Sequence, residues 1–376
     1  MKTNTESSPA GLKNASMTPK IRWGILSTGK IAHQFVEGLR FLPDAEISAV
    51  GSRTQEAADR FGARHGIPHR HGGYAALAAD PLVDVVYIGT PHSLHAENTI
   101  LCLEEGKAVL CEKPFALNAA QAERMIETAR GRGVFLMEAM WTRFLPAMIE
   151  TRRLLSEGTI GEPRMLEASF GFPAPFDPAG RLFNPDLGGG ALLDVGIYPL
   201  SLSYFVFGPP ARIVSLADLG KTGVDERAGI VLGYPGGRIA VLHFSLTTDL
   251  PNEMTISGSK GRIRVHAPIF SPSGLTITKR ILPQSGPDNR AAALARRIAG
   301  HRWLAPVRKR WSGRSERAIS IPFKGNGYNY EAAEVMRSIR EGRTESPCMP
   351  LDESLAIMRT MDAIRALWGL TYPDEL

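Results

Sequence analysis

Ile21-Arg22-Trp23-Gly24-Ile25-Leu26-Ser27-Thr28-Gly29-Lys30-Ile31-Ala32 is the stretch on which the fold turns. A short apolar run stops at a Ser-Thr-Gly turn, and behind it Ile31, Phe35 and Leu39 recur on one helical stripe. Strand, tight turn and helix in that order open a dinucleotide-binding unit. The usual GxGxxG stands here as Ser27-x-Gly29-x-x-Ala32. The middle glycine is kept where backbone must approach a pyrophosphate, and Ala32 suits close packing of helix on strand. Ser27 in place of the first glycine weakens the match, yet amides at the helix start would still hold a phosphate. Ser27, Thr28, Gly29, Lys30 and Ile31 are the cofactor contacts expected in this turn.

The next strand, Glu46 to Gly51, ends in Ser52-Arg53-Thr54. An acid at this strand end holds the ribose 2′-OH of NAD, whereas an arginine accommodates the 2′-phosphate of NADP. Ser52, Arg53 and Thr54 therefore point to NADP, with NAD as the less favoured cofactor. The competing reading is a solvated arginine opening a helix, but a helix N-terminus disfavours cations unless an anion accompanies them.

Working outward, the alternation continues. A helix over Tyr74–Ala79 precedes the apolar run Asp84–Ile88, which reads as a buried parallel strand. Gly89-Thr90-Pro91-His92-Ser93-Leu94-His95 leads into a helix ending at Glu105, and a strand from Lys107 to Cys111 runs into Glu112-Lys113-Pro114. A helix over Asn118–Arg132 and a strand from Val134 to Met137 complete the pattern. Strands and helices in this order predict a doubly wound parallel sheet. Ligands of such sheets lie at the carboxyl ends of strands, where Ser27, Arg53, Thr90 and Lys113 all fall. His92 and His95 are assigned to cofactor contact or loop support.

The second half changes character. A helix over Pro146–Glu157 and a strand from Arg164 to Phe170 lead to a Pro/Gly-rich loop, Gly171 to Asp186. That loop carries Phe176, Arg181 and Phe183 and either closes over substrate or merely crosses the surface. Gly188-Gly189-Gly190 then enters Asp194-Val195-Gly196-Ile197-Tyr198-Pro199. On a helix, Asp194 and Tyr198 share one face. Alone, such a DxxxY reads as a cap and a core tyrosine, but Lys113 arriving at the same place makes a proton-transfer set. From Arg212 to Ile277 short β-rich runs alternate with turns, as in an antiparallel sheet whose far face is open to a partner. Two amphipathic helices, Tyr328–Glu341 and Leu351–Leu370, close the chain, with Val335, Ile339, Leu355, Met358 and Ile364 as core.

Composition bounds the function. A chain of 376 residues, 43% apolar and 22% charged, suits two globular domains. No apolar run in it approaches a membrane span, and its first twenty residues are polar, a loose tail without a signal segment, so cytoplasm is expected. Three scattered cysteines give neither a disulfide framework nor a zinc site. His69 and His71 form an HxH with no carboxylate or cysteine at ligand spacing, and no metal is expected. The net charge of +6 is concentrated: residues 279–317 carry eleven Lys/Arg against two acids, leaving the remainder at −3. The basic stretch 282–317, with a helix-capable segment over 290–300, reads first as a solvated extension and then as an oligomer contact; nucleic-acid binding is disfavoured because no reader motif accompanies it.

Taken together, Thr90-Pro91…His95, Glu112-Lys113-Pro114, Met137 to Pro146 (MEAMWTRFLP) and Gly188 to Pro199 resemble the glucose–fructose oxidoreductase / inositol dehydrogenase (Gfo/Idh/MocA) family of NAD(P)-dependent oxidoreductases. Within it they are similar to the branch with dimeric dihydrodiol dehydrogenase and NADP-dependent D-xylose dehydrogenase. The resemblance spans residues 21–280 and 318–372. It implies an α/β fold with an N-terminal Rossmann domain over 21–143 and a C-terminal α+β domain over 144–376. That second domain would carry a large, mostly antiparallel open sheet through which homodimers form. It further implies proton transfer by Lys113 and Tyr198, NADP contacts at Ser52 and Arg53, and Trp141 and Arg143 beside nicotinamide and substrate, with Glu112 in the same cofactor shell. The expected reaction is hydride transfer between NADP and a sugar or polyol. Lys113 would lower the Tyr198 phenol toward neutral pH, Asp194 would orient the substrate hydroxyl, and Phe176 and Arg181 would line the pocket. Carbonyl reduction and trans-dihydrodiol oxidation are the rivals. A nucleotide-sensing regulator without turnover is less favoured, since Lys113, Asp194 and Tyr198 are all present.

Overall fold

Strands covered on both faces must be largely apolar, and the central strands of the first sheet follow that rule. The computed structural model describes residues 19–280 and 314–375; the tail before residue 19 and the basic stretch 281–313, with its expected helix, lie outside the described residues. β1 (Ile21–Leu26), β2 (Ala45–Gly51), β3 (His69–His71), β4 (Val85–Ile88), β5 (Ala108–Glu112) and β6 (Leu136–Ala139) form one parallel sheet in the order β3-β2-β1-β4-β5-β6. All four residues of β4 are fully buried, as are Trp23, Ile25 and Leu26. Each large side chain removed from water contributes about 1.5–3 kcal/mol. The strand order reverses between β1 and β4, and the crevice outside their carboxyl ends is the natural ligand position.

The connecting helices are α1 (Lys30–Leu39), α2 (Gln55–His65), α3 (Tyr74–Ala78), α4 (His95–Glu104) and α5 (Ala119–Arg132). Local chemistry sets their ends. Asn118 accepts from Gln121 N–H to start α5, and Gly133, at φ 64°, stops it in the left-handed conformation that glycine tolerates.

After α6 (Pro146–Ser156) the chain builds a second sheet from β7 (Pro163–Gly171), β8 (Arg212–Leu219), β9 (Asp225–Tyr234), β10 (Arg238–Ser245), β11 (Met254–Gly258), β12 (Gly261–Val265), β13 (Gly274–Arg280) and β14 (Arg314–Ser320), with α7 (Ile197–Phe207) packed on it. The order is β14-β13-β12-β11-β7-β10-β9-β8. All pairs are antiparallel except β7 with β10. α8 (Tyr328–Arg340) and α9 (Leu351–Trp368) return to the first unit, packing on α1 and α5.

Four features depart from the sequence reading. β3 and β14 are strands where none was expected, one in a glycine-rich stretch and one at the end of the basic segment. The residues from Leu192 to Gly196 form a π-helical turn rather than α-helix, so Asp194 and Tyr198 straddle a change of helix type. The stretch Pro185–Phe207 reaches the length and mean hydropathy (1.4) of a membrane span, contrary to the expectation, yet 89% of its most apolar window is buried within the protein. The HxH does meet a carboxylate: Asp80 Oδ2 lies 2.9 Å from His71 Nε2 and 3.3 Å from His69 Nδ1, and its Oδ1 accepts from Leu82 N–H. Asp80 is nine residues from His71, a separation that hid the contact.

Phe244 of β10 lies fully buried under this turn, and a Cβ on Gly196 would come within 2.9 Å of its ring. Phe244→Ala should therefore lower unfolding free energy by about 3–5 kcal/mol, read as a drop in denaturant midpoint. A loss below about 1 kcal/mol would show that the turn does not rest on this ring.

Candidate active site

The glycine turn comes first. Ser27 adopts φ 149°, a conformation that glycine reaches easily and other residues rarely, which is the physical trace of the missing first glycine. Its Oγ accepts from Gly29 N–H at 3.1 Å and braces the turn. Gly29 brings no side-chain cap to α1, so the first amides and the positive end of that helix face the crevice. Lys30 is exposed beside them, with Ile31 half-buried. The Thr28 and Ser52 hydroxyls lie 3.3 Å apart across the ends of β1 and β2, and Arg53 is exposed just beyond. Amides, two hydroxyls and a guanidinium fit a dinucleotide carrying an additional phosphate on its ribose. The Thr54 hydroxyl accepts from Ala57 N–H as the cap of α2, which leaves its own O–H to donate.

The loop after β4 is held by its two histidines. His92 Nδ1 lies 2.8 Å from the Gly188 carbonyl, and burial lowers this imidazole to about 3. A carbonyl only accepts, so the neutral ring carries its proton on Nδ1. That bond ties the loop to the glycine run. A Cβ at Gly188 (φ 71°) would strike Leu117 at 2.5 Å and His92 at 2.8 Å, so only glycine permits the approach. His95 is fully buried, with Nδ1 2.8 Å from the Pro114 carbonyl and Nε2 3.0 Å from that of Thr90; burial lowers it to about 4, so the neutral ring donates to one of the two carbonyls. Of the two roles read for it, loop support is the one it fills. Thr90 Oγ1 accepts from Asn98, and Pro91 opens the turn into α4.

Lys113, Asp194 and Tyr198 do converge. Lys113 follows β5, and its Nζ donates to the Asp194 carbonyl at 2.7 Å and lies 3.4 Å from Asp194 Oδ1. In a π-helical turn that carbonyl would look to the N–H five residues on, but residue 199 is proline and has none. The lysine stands in its place. The same Nζ sits 4.8 Å from the centre of the Tyr198 ring. Burial alone would raise the Asp194 carboxyl, but Lys113 and Arg181 hold it well below the usual carboxylate range. Burial pulls Lys113 down, and Tyr198, Asp194 and Glu112 together outweigh it, so the ammonium is retained.

Tyr198 departs from expectation. Burial raises its phenol above the ordinary value, with Lys113 and the Trp141 hydrogen bond pulling only part of the way back. Trp141 Nε1 donates to the Tyr198 oxygen at 3.0 Å. An indole N–H cannot accept, so it leaves the phenolic proton for another partner. Trp141 is itself fixed by stacking on Tyr328, with ring centres 4.5 Å apart. A Cβ at Gly327 would lie 2.6 Å from the indole.

Arg143 is a second correction. Its side chain is almost fully buried, donates to Ser201 Oγ and O (2.9 and 2.6 Å) and pairs with Glu353 at 2.5 Å. It braces the junction of α7 and α9 instead of meeting a ligand. Glu112 is buried too, accepting from Tyr87 OH (2.6 Å) and the Lys113 N–H (3.1 Å), and burial raises its carboxyl. Arg181 reaches the site, donating from Nη1 to Asp194 Oδ1 at 2.8 Å. Phe176 lies half exposed against Phe183, further out on the loop.

Several residues at the site carried no usable sequence signal. Phe170, at the end of β7, stands edge-on to Tyr198 (5.3 Å) and stacks on Phe270 (5.1 Å). Asp225 Oδ2 accepts from Leu192 N–H at 2.6 Å and so steadies the π-helical turn, while burial raises its carboxyl to about 7. Each arrives from a strand or loop far away in the chain.

Two family models match the chain. The oxidoreductase family model with an NAD-binding Rossmann fold covers residues 21–140, and the GFO/IDH/MocA C-terminal domain covers 148–264. The trans-1,2-dihydrobenzene-1,2-diol dehydrogenase of Xenopus tropicalis is 36% identical, covering 94% of this chain and 99% of that protein. The human enzyme of the same name is 37% identical with the same coverage. Among solved structures, a 3-ketoreductase from Actinomadura kijaniata in complex with NADP and TDP-benzene aligns at a TM-score of 0.75 and 28% identity, covering 92% of this chain and 97% of its own. An aldose-aldose oxidoreductase from Caulobacter crescentus complexed with glycerol aligns at 0.76 and 26%, covering 93% and 98%.

Trp141→Phe would keep the stack and remove the indole N–H. Because that N–H favours the charged phenolate, its loss should push Tyr198 ionisation to still higher pH. The difference in phenolate absorbance between Trp141→Phe and Trp141→Phe/Tyr198→Phe, titrated against pH, reads the shift; movement toward lower pH would refute the assigned bond.

Proposed function

Because this chain belongs to the GFO/IDH/MocA family of oxidoreductases, we propose that it moves a hydride between NADP and a carbinol or carbonyl carbon of a sugar, polyol or related cyclic hydroxy compound. The observation that carries this reading is Tyr198, its hydroxyl held by Trp141 and its ring lying under the Lys113 ammonium, which in turn binds Asp194, at the carboxyl edge of the first sheet. NADP, when bound, supplies the hydride donor or acceptor. Backbone amides from Ser27 to Ile31 would hold its pyrophosphate, and Ser52 with Arg53 the phosphate on its ribose. The arginine at the end of β2 supports NADP over NAD, and the Actinomadura ketoreductase, similar along nearly its whole length, was crystallised with NADP.

The chain's own part is the proton. A phenol raised by burial is a ready donor to a carbonyl oxygen at neutral pH, which favours reduction there. In the other direction Tyr198 must first ionise, with Lys113 and the indole N–H stabilising the phenolate, so oxidation should quicken as pH rises. Asp194, held ionised, accepts from a neighbouring substrate hydroxyl and sets the ring's orientation.

A second substrate reading has its own support. Trp141, Phe170, Phe270 and Tyr328 wall the tyrosine with aromatic faces, which suit the flat face of a ring such as a trans-dihydrodiol. The relatives named for that activity point the same way.

A second copy of this chain is the proposed partner. On the outer face of the large sheet, Val214 lies opposite Val231 and Ile239 opposite Met165, all exposed, with Leu216 beside them. An apolar patch of this kind on a sheet favours face-to-face association. Leu216→Glu should shift sedimentation toward monomer; an unchanged profile would remove this surface.

The catalytic reading is tested at 340 nm with NADP(H) and NAD(H) against sugars, polyols, dicarbonyls and dihydrodiols, about the absorbance at which reduced nicotinamide is read. Lys113→Met and Tyr198→Phe should each cut turnover by roughly 10²–10⁴-fold while NADPH still binds. Undiminished turnover in both variants would take the pair out of the mechanism.

A further inference from the structure

The cation that faces Asp194 from the outside has no role in proton transfer. Arg181 sits on a tight turn of the loop between β7 and the π-helical turn. That turn is anchored: Phe183 N–H donates to the Gly180 carbonyl (3.1 Å), Gly190 N–H to Leu182 (2.9 Å), and the Phe183 side chain is fully buried. The guanidinium is therefore presented from a braced backbone. Its side chain is nevertheless 58% exposed, and only Nη1 is engaged, on Asp194 Oδ1 at 2.8 Å. Among the described residues Nε and Nη2 have no further hydrogen-bond partner.

We propose that Arg181 selects substrates bearing an oxyanion, a carboxylate or a phosphate, on the part of the molecule that projects from the reacting carbon toward this loop. This deepens the hydride-transfer reading above and rests on it. Exposure supports it: of the two cations beside Asp194, Lys113 is mostly buried and Arg181 is exposed, so the positive charge presented at the mouth of the site is the Arg181 guanidinium. Glu112, the other carboxyl near these cations, lies behind the lysine, engaged with Tyr87 and the Lys113 amide and away from the mouth. Asp177, on the same loop, turns its Oδ1 back to Ala179 N–H at 3.1 Å. The Asp194 carboxylate is buried and keeps its bond to Nη1, so the exposed Nε–Nη2 edge of the guanidinium can engage a second oxyanion without breaking that pair. Arginine also offers the planar fork that carboxylates and phosphates match with two parallel hydrogen bonds.

The full-length chain would be assayed with saturating NADP(H) on matched sets: a neutral hexose or polyol, its uronate or aldonate, and its terminal phosphate ester. The anionic member should exceed its neutral partner in kcat/KM by ~10–100-fold, the range set by one charged hydrogen-bonded contact. The effect should fall mainly on KM and weaken with added salt. The uronate and phosphate arms separate the two oxyanion sources. In Arg181→Gln the anionic-to-neutral ratio should fall toward one, and Arg181→Lys should keep part of it. Retained NADPH binding and an unchanged melting temperature certify that the variants are folded. A wild-type ratio near one, or a preference that survives in Arg181→Gln, overturns the inference while leaving hydride transfer intact. No turnover of any member by the wild type with either cofactor overturns both.

Discussion

Lys113 Nζ on the Asp194 carbonyl, at 2.7 Å across 81 residues of chain, is the contact on which the arrangement depends. It joins the carboxyl edge of the parallel sheet to the π-helical turn of the second unit, where Pro199 lacks the N–H that would lie five residues on from the Asp194 carbonyl. The π-helical turn and Pro199 together create that vacancy in the backbone ladder, and an ammonium on a long stem fills it. An unpaired buried carbonyl is costly, so this bond contributes to the junction of the two units while fixing the amine over the tyrosine ring. One interaction thus aligns fold and chemistry.

Electrostatics around that contact divide into layers. Nearest the reacting position, Asp194 is kept ionised by Lys113 and Arg181, and Lys113 is kept protonated by its acidic neighbours. Behind it, Glu112 is raised by burial, and beyond the turn so is Asp225, to about 7. The imidazoles of His92 and His95 are held neutral by the same cause and act as hydrogen-bonding struts. Burial outweighs the neighbouring charges at Glu112 and Asp225, and the neighbouring charges outweigh burial at Asp194 and Lys113. Tyr198 lies between these cases. The single ammonium over its ring does not overcome burial among Phe170, Trp141 and Phe270, which is why its phenol is raised above its ordinary value.

On the proposed reading, proton transfer and substrate selection fall on different parts of the chain. The tyrosine and its indole partner are locked by stacking, by Gly327 and by the sheet edge, and have little freedom. Arg181 and Phe176 ride on the Pro/Gly-rich loop, where exposure is greater and contacts are fewer. A scaffold that fixes the proton donor and leaves the pocket rim on a loop can change substrate without disturbing its acid–base geometry.

The sequence by itself determined the parallel sheet and the site of the dinucleotide turn, because each is written in local pattern, while Lys113, Asp194 and Tyr198 are singled out through the family resemblance of their motifs. Apolar runs mark strands buried on both faces, a glycine marks close backbone approach, and an arginine after the second strand marks an anion. Only the tertiary structure decided that Arg143 braces helices, that Thr54 caps α2, and that His95 is a strut. It alone brought Phe170, Phe270 and Asp225 to the site, and Asp80 to the paired histidines. It also put a π-helical turn where helical spacing suggested an α-helix. The reason is physical: a side chain's partner is set by which distant strand or helix the packing places beside it, and burial, the largest influence on these titrating groups, has no local signature in the chain.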